Sequence, residues 1–496
     1  MKRTSIRRIL NSAPAVGFLS SSGTMADNRL QQALEQLSFK RLLSYSRFRR
    51  QKGDSLTNVM FALVIWPLLD VRSISNFCGR PISVFIKGGK NVLYDFLERD
   101  DLAWKNLRMR IAKRIYLENR IDAEPVKMFV FDDSLKHRRG KKVEGSSVHF
   151  DHTINKHVQA HQVMEMGLVS PKGYLPIDSQ IVIGGKKTVC RRKPFNQKGT
   201  DLQDDCRTAL DDNKNGILRK MSKRATKAGL KADCVLADAW FGNKGNIAAV
   251  LDTGLNAIFG TKDSQLKYRF SGHDFTAGAL YHLVKHYRKP DTQSQKLPWT
   301  TWSIDVELLL PGKDRRRDRY ETVKLVFGIP RHQTKDEFAL FLSANSELSS
   351  EKILEFYALR WGIEVYFKEV KQYMGFPKEQ TGNYACHCAS VHLAAIRYLL
   401  FSRMQMQEGN SSFVEQRKDV SLYLEQTSYA SMMWALFKLP IGQAMESFGS
   451  RLGESMVEKI VDRIDNVARD FLAPALQLDR QSFLEESYAE AAGVFL

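Results

Sequence analysis

The chain has 496 residues, of which 43% are hydrophobic and 26% charged, a composition that excludes a collagenous, low-complexity or mostly disordered protein. At roughly 100–200 residues per domain, its length suggests two to four domains with sizeable cores. Lysine and arginine number 75 against 55 aspartate and glutamate, so the net charge of +20 favours nucleic acid as partner, and a basic protein that is merely soluble is the alternative.

Neither the cysteines nor the hydropathy indicates a secreted or membrane protein. The six cysteines are too few and too scattered to cross-link a secreted scaffold. The longest apolar run, residues 59–69, is about half the length that a bilayer requires. Residues 1–24 begin with basic residues, but Pro14 and Gly17 interrupt their apolar stretch, which is untypical of a signal peptide. We therefore expect a cytoplasmic protein with no membrane partner, whose start is Met1 or Met25.

Residues 1–120 are predicted to form a basic helical domain that binds DNA. The first 50 residues hold 10 lysines and arginines against 2 acidic residues, and short basic helices often contact phosphates. An ordinary solvated basic face is the alternative. Apolar residues recur at helical spacing in the stretches 30–48, 59–69 and 104–121.

Residues 121–262 are predicted to form the first part of an α/β core. Three successive strands favour an antiparallel meander, and two later strands that alternate with helices favour parallel pairing. This combination is typical of the ribonuclease-H-like fold. The predicted strands are 127–133, 158–170, 174–184, 234–240 and 256–262, and the predicted helices are 202–228 and one from residue 243.

The second half of the chain is predicted in three parts. Residues 263–345 form a β-rich insertion with strands at 303–310, 319–328 and 337–344, residues 346–410 complete the core with a long helix, and residues 411–496 form a helical C-terminal region. Within that region, residues 451–496 hold nine acidic and five basic residues, so DNA phosphates would repel them. Apolar positions at helical intervals favour a dimerisation surface there, and packing within the monomer is the alternative.

Two aspartates each follow an apolar strand. Asp132 comes directly after residues 128–131 and Asp238 after residues 235–237. A carboxylate that ends a buried strand costs free energy unless it has a partner, and Mg²⁺ is a partner that prefers such oxygen ligands. A turn or a helix cap after the strand is the alternative for either residue.

A third carboxylate, Glu364, lies in the predicted helix 353–373. At about 100° per residue, Tyr357, Arg360, Glu364 and Lys371 share one stripe of about 60°, while Glu355 and Glu369 point away. A surface ion pair between Glu364 and Lys368 is the alternative.

The spacing Tyr357-x2-Arg360-x3-Glu364-x6-Lys371 resembles the Tyr/Arg/Glu/Lys signature of bacterial transposases of the fourth insertion-sequence family. The surrounding RWGIEVYFKEVKQYMGF, the Asp132-Asp133-Ser134 run and VLADAWF around Asp238 are also similar to that group. The resemblance extends over roughly residues 30–410.

This resemblance implies a DDE transposase on a ribonuclease-H-like core, with catalytic and metal-binding residues Asp132, Asp238 and Glu364. It implies two Mg²⁺ or Mn²⁺ ions as cofactors, and double-stranded DNA of the element ends and the target as partner, bound by a homodimer in the bacterial nucleoid. Tyr357, Arg360 and Lys371 carry over as DNA-binding residues beside the cleaved end.

Trp302 is predicted as a further DNA-binding residue, because related enzymes hold a flipped base with an aromatic residue of the insertion. Its packing in the insertion's own core is the alternative. Two other functions stay open at this stage: a metal-dependent nuclease or resolvase on the same core, and a catalytically silent, domesticated DNA-binding protein.

Overall fold

The computed structural model shows a mixed α/β protein. It describes residues 29–49, 53–80, 83, 86–140, 142–184, 190, 194–196, 199–262, 266–291, 298–312, 317–331, 337–376, 378–379, 381–409, 412–425, 459 and 463. These residues fall into two compact units. The first comprises the described parts of 1–99, 373–380 and 403–496, and the second those of 100–372 and 381–402.

Short helices build the N-terminal part of the first unit. Ser55 and Ser73 begin two of these helices, and each hydroxyl accepts a hydrogen bond from a backbone N–H three residues later (3.1 Å in both). The apolar run 59–69 lies inside the unit, in a buried helix and a following 3₁₀ turn. The helices are α1 (Arg29–Gln36), α2 (Phe39–Tyr45), α3 (Leu56–Ile65), α4 (Ile74–Cys78) and α5 (Gly89–Leu97).

The second unit begins with α6 (Trp104–Glu118) and contains the sheet. Its first strands are β1 (Met128–His137), β2 (Ser147–Asp151), β3 (Lys156–Ser170), β4 (Gly173–Val182), β5 (Cys234–Ala237) and β6 (Asn256–Thr261). As the sequence predicts, β1, β3 and β4 pair antiparallel, and β5 pairs in parallel with both β1 and β6. β2, which the sequence pattern does not indicate, pairs with the start of β3.

The predicted helix 202–228 is two helices, α7 (Asp201–Asp211) and α8 (Lys214–Lys227). Asn213 separates them because its side chain caps α8, accepting a hydrogen bond from the N–H of Gly216 (2.9 Å). After β5, Asn243 caps α9 (Lys244–Leu251) in the same way.

Residues 263–345 extend this sheet rather than forming a sheet of their own. β11 (Ala339–Ser343) pairs antiparallel with β6, so the insertion continues from the open edge of β6. Its other elements are β7 (Lys267–Phe270), β8 (His273–Thr276), α10 (Ala277–Tyr287), β9 (Trp299–Leu310) and β10 (Arg319–Pro330). The strand order is β2-β3-β1-β5-β6-β11-β10-β9-β7-β8, with β4 beside β3.

The prediction of a single long helix over 353–373 is wrong. The structure has α11 (Ser350–Ala358) and α12 (Trp361–Tyr373), separated by a turn at residues 359–360. There the N–H groups of Leu359 and Arg360 donate to carbonyls three residues back (3.1 and 3.0 Å), which tightens the chain into a 3₁₀-like turn between the two helices.

The described chain ends in helical segments. α13 (Tyr384–Glu408) is followed by helical residues 413–425. Most of the predicted dimerisation region, 411–496, and the basic residues 1–28 lie outside the described residues. Among the described helices, none combines the length and apolar character needed to cross a bilayer. Cys190 and Cys206 form a disulfide.

Candidate active site

Asp132 and Asp238 lie at the same edge of the sheet. β1 and β5 run parallel in a register that aligns Val130 with Leu236, so two residues further on each strand reaches its aspartate. Asp132 accepts a hydrogen bond from the N–H of Asp133 (2.8 Å), and Asp238 accepts one from the N–H of Trp240 (3.0 Å). Local backbone groups therefore orient both carboxylates.

Burial makes both carboxylates hard to ionise. Burial raises the pKa of Asp132 to about 7, although the N–H of Asp133 and the guanidinium of Arg360 oppose the shift. Burial also raises the pKa of Asp238, and the negative charge of Asp133 adds to the effect. Two half-buried carboxylates side by side repel each other, and a bound cation relieves that repulsion.

Glu364 reaches this edge from α12 through Arg360. The Nη2 of Arg360 donates to Oε1 of Glu364, and its Nη1 lies 3.4 Å from Oδ2 of Asp132. The guanidinium thus links the two carboxylates. Arg360 occupies the turn between α11 and α12, and from there its side chain reaches Asp132 on β1.

Tyr357 completes the group. Its ring centroid lies 5.7 Å from the guanidinium carbon of Arg360, and burial raises the pKa of its hydroxyl. A Cβ on Gly260 would come within 3.0 Å of both the Tyr357 hydroxyl and the backbone nitrogen of Ala239. The absence of a side chain at Gly260 therefore lets the tyrosine hydroxyl approach the segment that follows Asp238.

Lys371 lies two turns along α12 from Glu364 and is exposed. Partial desolvation and the positive charge of Lys136 lower its pKa, while the negative charges of Asp151 and Asp132 raise it. The ammonium group is thus within electrostatic reach of the carboxylate edge but is not part of the Arg360 network.

Sequence reasoning missed a polar cluster beside the aspartates. Asp133 accepts hydrogen bonds from Lys214 (2.7 Å) and from the side-chain amide of Gln162 (2.5 Å). Lys214 also lies 4.6 Å from the ring centroid of Trp240. The doubled Asp132-Asp133 was the available signal, since adjacent strand residues point to opposite faces and need separate partners.

Trp302 does not fit its predicted role. It is only 9% exposed on β9, and its ring packs edge-on against Tyr281 (centroids 6.2 Å apart) in the core of the insertion. A base cannot stack on a ring that its own domain covers. Trp299, at the start of β9, is partly exposed and contacts Phe341 (6.1 Å), which in turn contacts Tyr357 (4.8 Å).

The donor set fits a divalent cation, although the described residues contain no three metal-ligating side chains already grouped as a metal site. Asp132, Asp238 and Glu364 all offer carboxylate oxygens, which hard cations such as Mg²⁺ prefer. Arg360 bridges two of the three. These residues could hold a cation once Arg360 turns toward another anion.

Two family models match the chain. A model described as DDE superfamily endonuclease matches residues 70–292, and one described as transposase DDE domain matches residues 204–385. The first range contains Asp132 and Asp238, and the second contains Asp238 and Glu364. No curated protein matches the chain. Both matches support a DDE transposase, an enzyme that acts on DNA.

Proposed function

We propose that this DDE transposase binds the terminal inverted repeats of a mobile element, cleaves the DNA at its ends and joins the freed 3′ ends to target DNA. Asp132, Asp238 and Glu364 are its catalytic carboxylates. The observation that carries the proposal is that three carboxylates from distant parts of the chain meet at one edge, two of them linked by Arg360. Burial raises the pKa of both aspartates, so neither is a fully solvated surface carboxylate.

The proposed core is ribonuclease-H-like. The order β4-β3-β1-β5-β6, antiparallel in its first three strands and parallel in its last three, supports this fold. In such a sheet, a carboxylate within β1 and one following β5 stand side by side, and a helix that packs nearby adds the third.

Two Mg²⁺ or Mn²⁺ ions are the proposed cofactors, held by Asp132, Asp238 and Glu364. When bound, they lower the pKa of water and neutralise charge on the scissile phosphate. Arg360, Tyr357 and Lys371 bind phosphate oxygens, since guanidinium, hydroxyl and ammonium groups all donate hydrogen bonds to them. A DNA phosphate also gives Arg360 an anion to replace the carboxylates that it now links.

The finer assignment rests on the motif. The Tyr357, Arg360, Glu364 and Lys371 spacing supports the fourth insertion-sequence family, whose members act on their own element in the bacterial cytoplasm. The helices of residues 29–120 are the proposed DNA-binding domain, and a homodimer holding both element ends is the proposed active form. Joining both ends requires two active sites, which a dimer supplies.

The test uses a duplex that carries the junction between the element and its flanking DNA. With Mg²⁺, the wild-type protein should nick the junction and join the 3′ end to a second duplex, and both activities should stop with EDTA. Glu364→Gln should lose nicking and joining while still binding the duplex. Glu355→Gln is the matched control, because Glu355 is exposed on α11.

The outcomes separate the candidate functions. Nicking without joining would make the protein a nuclease or resolvase, and binding without either would make it a silent DNA-binding protein. Equal activity of Glu364→Gln and Glu355→Gln would remove Glu364 from the catalytic group.

A further inference from the structure

An exposed tryptophan stands next to the proposed catalytic edge. Trp240 is 46% exposed, although an indole is among the side chains with most to gain from burial. Its backbone N–H donates to Oδ1 of Asp238, so the ring is held two residues from a proposed metal ligand. Lys214 lies on one side of it (4.6 Å to the centroid) and Phe241 packs edge-on against it (5.0 Å). The ring is thus both fixed and open to solvent.

Helix α8 leads away from this tryptophan. Its first residue, Lys214, contacts Asp133 beside the catalytic edge. Its last residue, Lys227, is followed by a short connection to β5, the strand that leads to Asp238. The helix has six basic residues and no acidic residue among its 14 positions. The helix itself therefore offers no carboxylate to balance these positive charges.

The six cations of α8 divide into two groups. Lys214, Lys220 and Arg224 form ion pairs with Asp133, Asp212 and Asp178 respectively. Arg219, Lys223 and Lys227 are exposed and form no ion pair with any residue that the structure describes. We call these three the α8 cation row, because a spacing of four residues places them on one face of the helix.

The cation row borders a groove between α8 and α9. The groove has a volume of about 420 Å³, and Arg219 and Lys223 line it together with Gly245 and Thr253. Asp252 also lines it but is paired with Arg319 (2.9 Å). Among the described residues, the only carboxylate that lines the groove is thus paired with another cation, and the charges of Arg219 and Lys223 are not neutralised by it.

Side-chain amides hold the two helices together. Oδ1 of Asn215 on α8 accepts hydrogen bonds from the amides of Asn246 (2.8 Å) and Asn243 (3.3 Å) on the α9 side. Asn246 is fully buried. The cation row is thus fixed relative to the segment that carries Asp238 and Trp240.

We propose that Trp240 and the α8 cation row form a track for the DNA being cut, in which Trp240 stacks on a nucleotide beside the scissile phosphate and the row binds phosphates further along. The inference rests on the proposed function, because it takes Asp238 as a ligand at the scissile phosphate. At 1.5 Å per residue, α8 extends about 20 Å from Lys214 to Lys227, roughly the axial length of six nucleotides. An aromatic platform followed by a line of cations is a recurring way to hold a DNA strand.

The stacking half of the proposal is tested with Trp240→Ala and Trp240→Phe. Single-turnover nicking of the junction duplex should fall about 5- to 150-fold in Trp240→Ala, the loss expected for one stacked base, and should largely recover in Trp240→Phe. With 2-aminopurine next to the scissile phosphate, wild-type protein should change its fluorescence on binding and Trp240→Ala should not. Unchanged nicking and an unchanged fluorescence response in Trp240→Ala would overturn this half.

The cation row is tested by salt titration of duplex binding. Arg219→Ala/Lys223→Ala/Lys227→Ala should lower the slope of log K against log salt by about 2.7, because each phosphate contact contributes about 0.9. The matched control, Lys231→Ala/Lys267→Ala/Lys289→Ala, removes the same charge from exposed positions outside the proposed DNA-binding domain. Equal slopes for the two triple variants would overturn this half.

The result also distinguishes the failure of this inference from that of the proposed function. If Glu364→Gln cannot nick but Trp240→Ala and the row variant behave like wild type and control, the inference alone fails. If Glu364→Gln nicks normally, the proposed function fails. If the row variant binds and nicks the junction normally but no longer joins it to a second duplex, the surface binds target DNA, which contradicts the proposal as stated.

Discussion

Two carboxylates on one rung of the sheet have opposite surroundings. Asp132 on β1 lies directly opposite Glu165 on β3. Glu165 is fully buried, pairs with Arg108 from α6 and accepts a hydrogen bond from Ser179 on β4 (2.5 Å). Asp132 is partly exposed and has a longer contact with Arg360, at 3.4 Å. Directly opposite positions on two strands thus hold a fully buried ion pair, here called the closed pair, and a partly exposed carboxylate, here called the open carboxylate.

The two carboxylates differ in the part of the fold that supplies their arginine partner. Arg108 comes from a helix that packs on β4, so protein surrounds the pair and water cannot compete. Arg360 comes from a turn and is shared between Asp132 and Glu364, so an incoming phosphate can take it. The closed pair contributes to structure, whereas the open carboxylate is the one proposed to bind a cation beside the DNA.

The largest expected effect is on catalysis at the open carboxylate. Asp132→Asn should reduce nicking at least about 1,000-fold, because an amide is a weaker ligand for a divalent cation. Its melting temperature should not fall, since burial already penalises the charge that is removed. Single-turnover nicking and thermal unfolding measure the two effects. A variant that nicks normally, or that loses activity only because it unfolds, would contradict the assignment.

The closed pair should show the reverse behaviour. Arg108→Met leaves the Glu165 carboxylate buried without its cation and should lower the free energy of unfolding by about 3–5 kcal/mol. Adding Glu165→Leu should recover most of that loss, because the orphaned charge is then gone. Denaturant unfolding of the single and double variants provides the measurement. Equal stability of the two would mean that the pair does not act as a unit.

A smaller effect is expected at Glu369, whose surroundings lie between these extremes. Burial raises its pKa to about 7, with a hydrogen bond from Tyr398 opposing the shift. The folded state therefore binds a proton that the unfolded state releases near pH 4.5, so this group's stabilising contribution is present below that pH and lost as the pH rises through about 7.

We therefore expect Glu369→Gln to gain stability relative to wild type between about pH 5 and pH 8, by about 2 kcal/mol after allowing for partial solvent exposure. Denaturant unfolding of wild type and Glu369→Gln at about pH 5 and about pH 8 measures how the stability difference between them changes. A constant difference across that window would show that Glu369 keeps its charge in the folded protein.

The smallest expected effect concerns Lys371, an exposed lysine on α12. Lys371→Gln should lower the salt slope of duplex binding by about 0.9, the value for one phosphate contact. Lys368→Gln is the matched control, since Lys368 is also exposed on α12. If both variants change the slope equally, Lys371 has no specific phosphate contact.

The sequence predicts most strands of the sheet because their apolar runs are continuous and bounded by turn residues. It misses β2, where Val148 and Phe150 face solvent and polar residues alternate with them, so no buried stripe marks the strand. It also misses β7 and β8, since four-residue strands carry too little pattern.

The candidate site shows the same limit. Asp132, Asp238 and Glu364 were selected from strand ends and motif spacing, and the structure brings them to one edge. The helical stripe used for Glu364 was only partly valid, because the turn at Arg360 interrupts the 100° periodicity. The prediction for Trp302 does not fit its burial, because residue type alone does not show which tryptophan of an insertion faces outward. The Arg108–Glu165 pair depends on packing between α6 and the sheet, which no local pattern encodes.

The pairing of β11 with β6 makes the whole insertion equivalent to one long hairpin loop. Thr261 lies directly opposite Leu340, so the chain leaves the core and re-enters it at adjacent positions. A two-residue turn is long enough to join strands in that arrangement. The residues between them can therefore be exchanged for a short connection without stretching the backbone, which defines a minimal core that retains Asp132, Asp238 and Glu364 on a single shortened polypeptide.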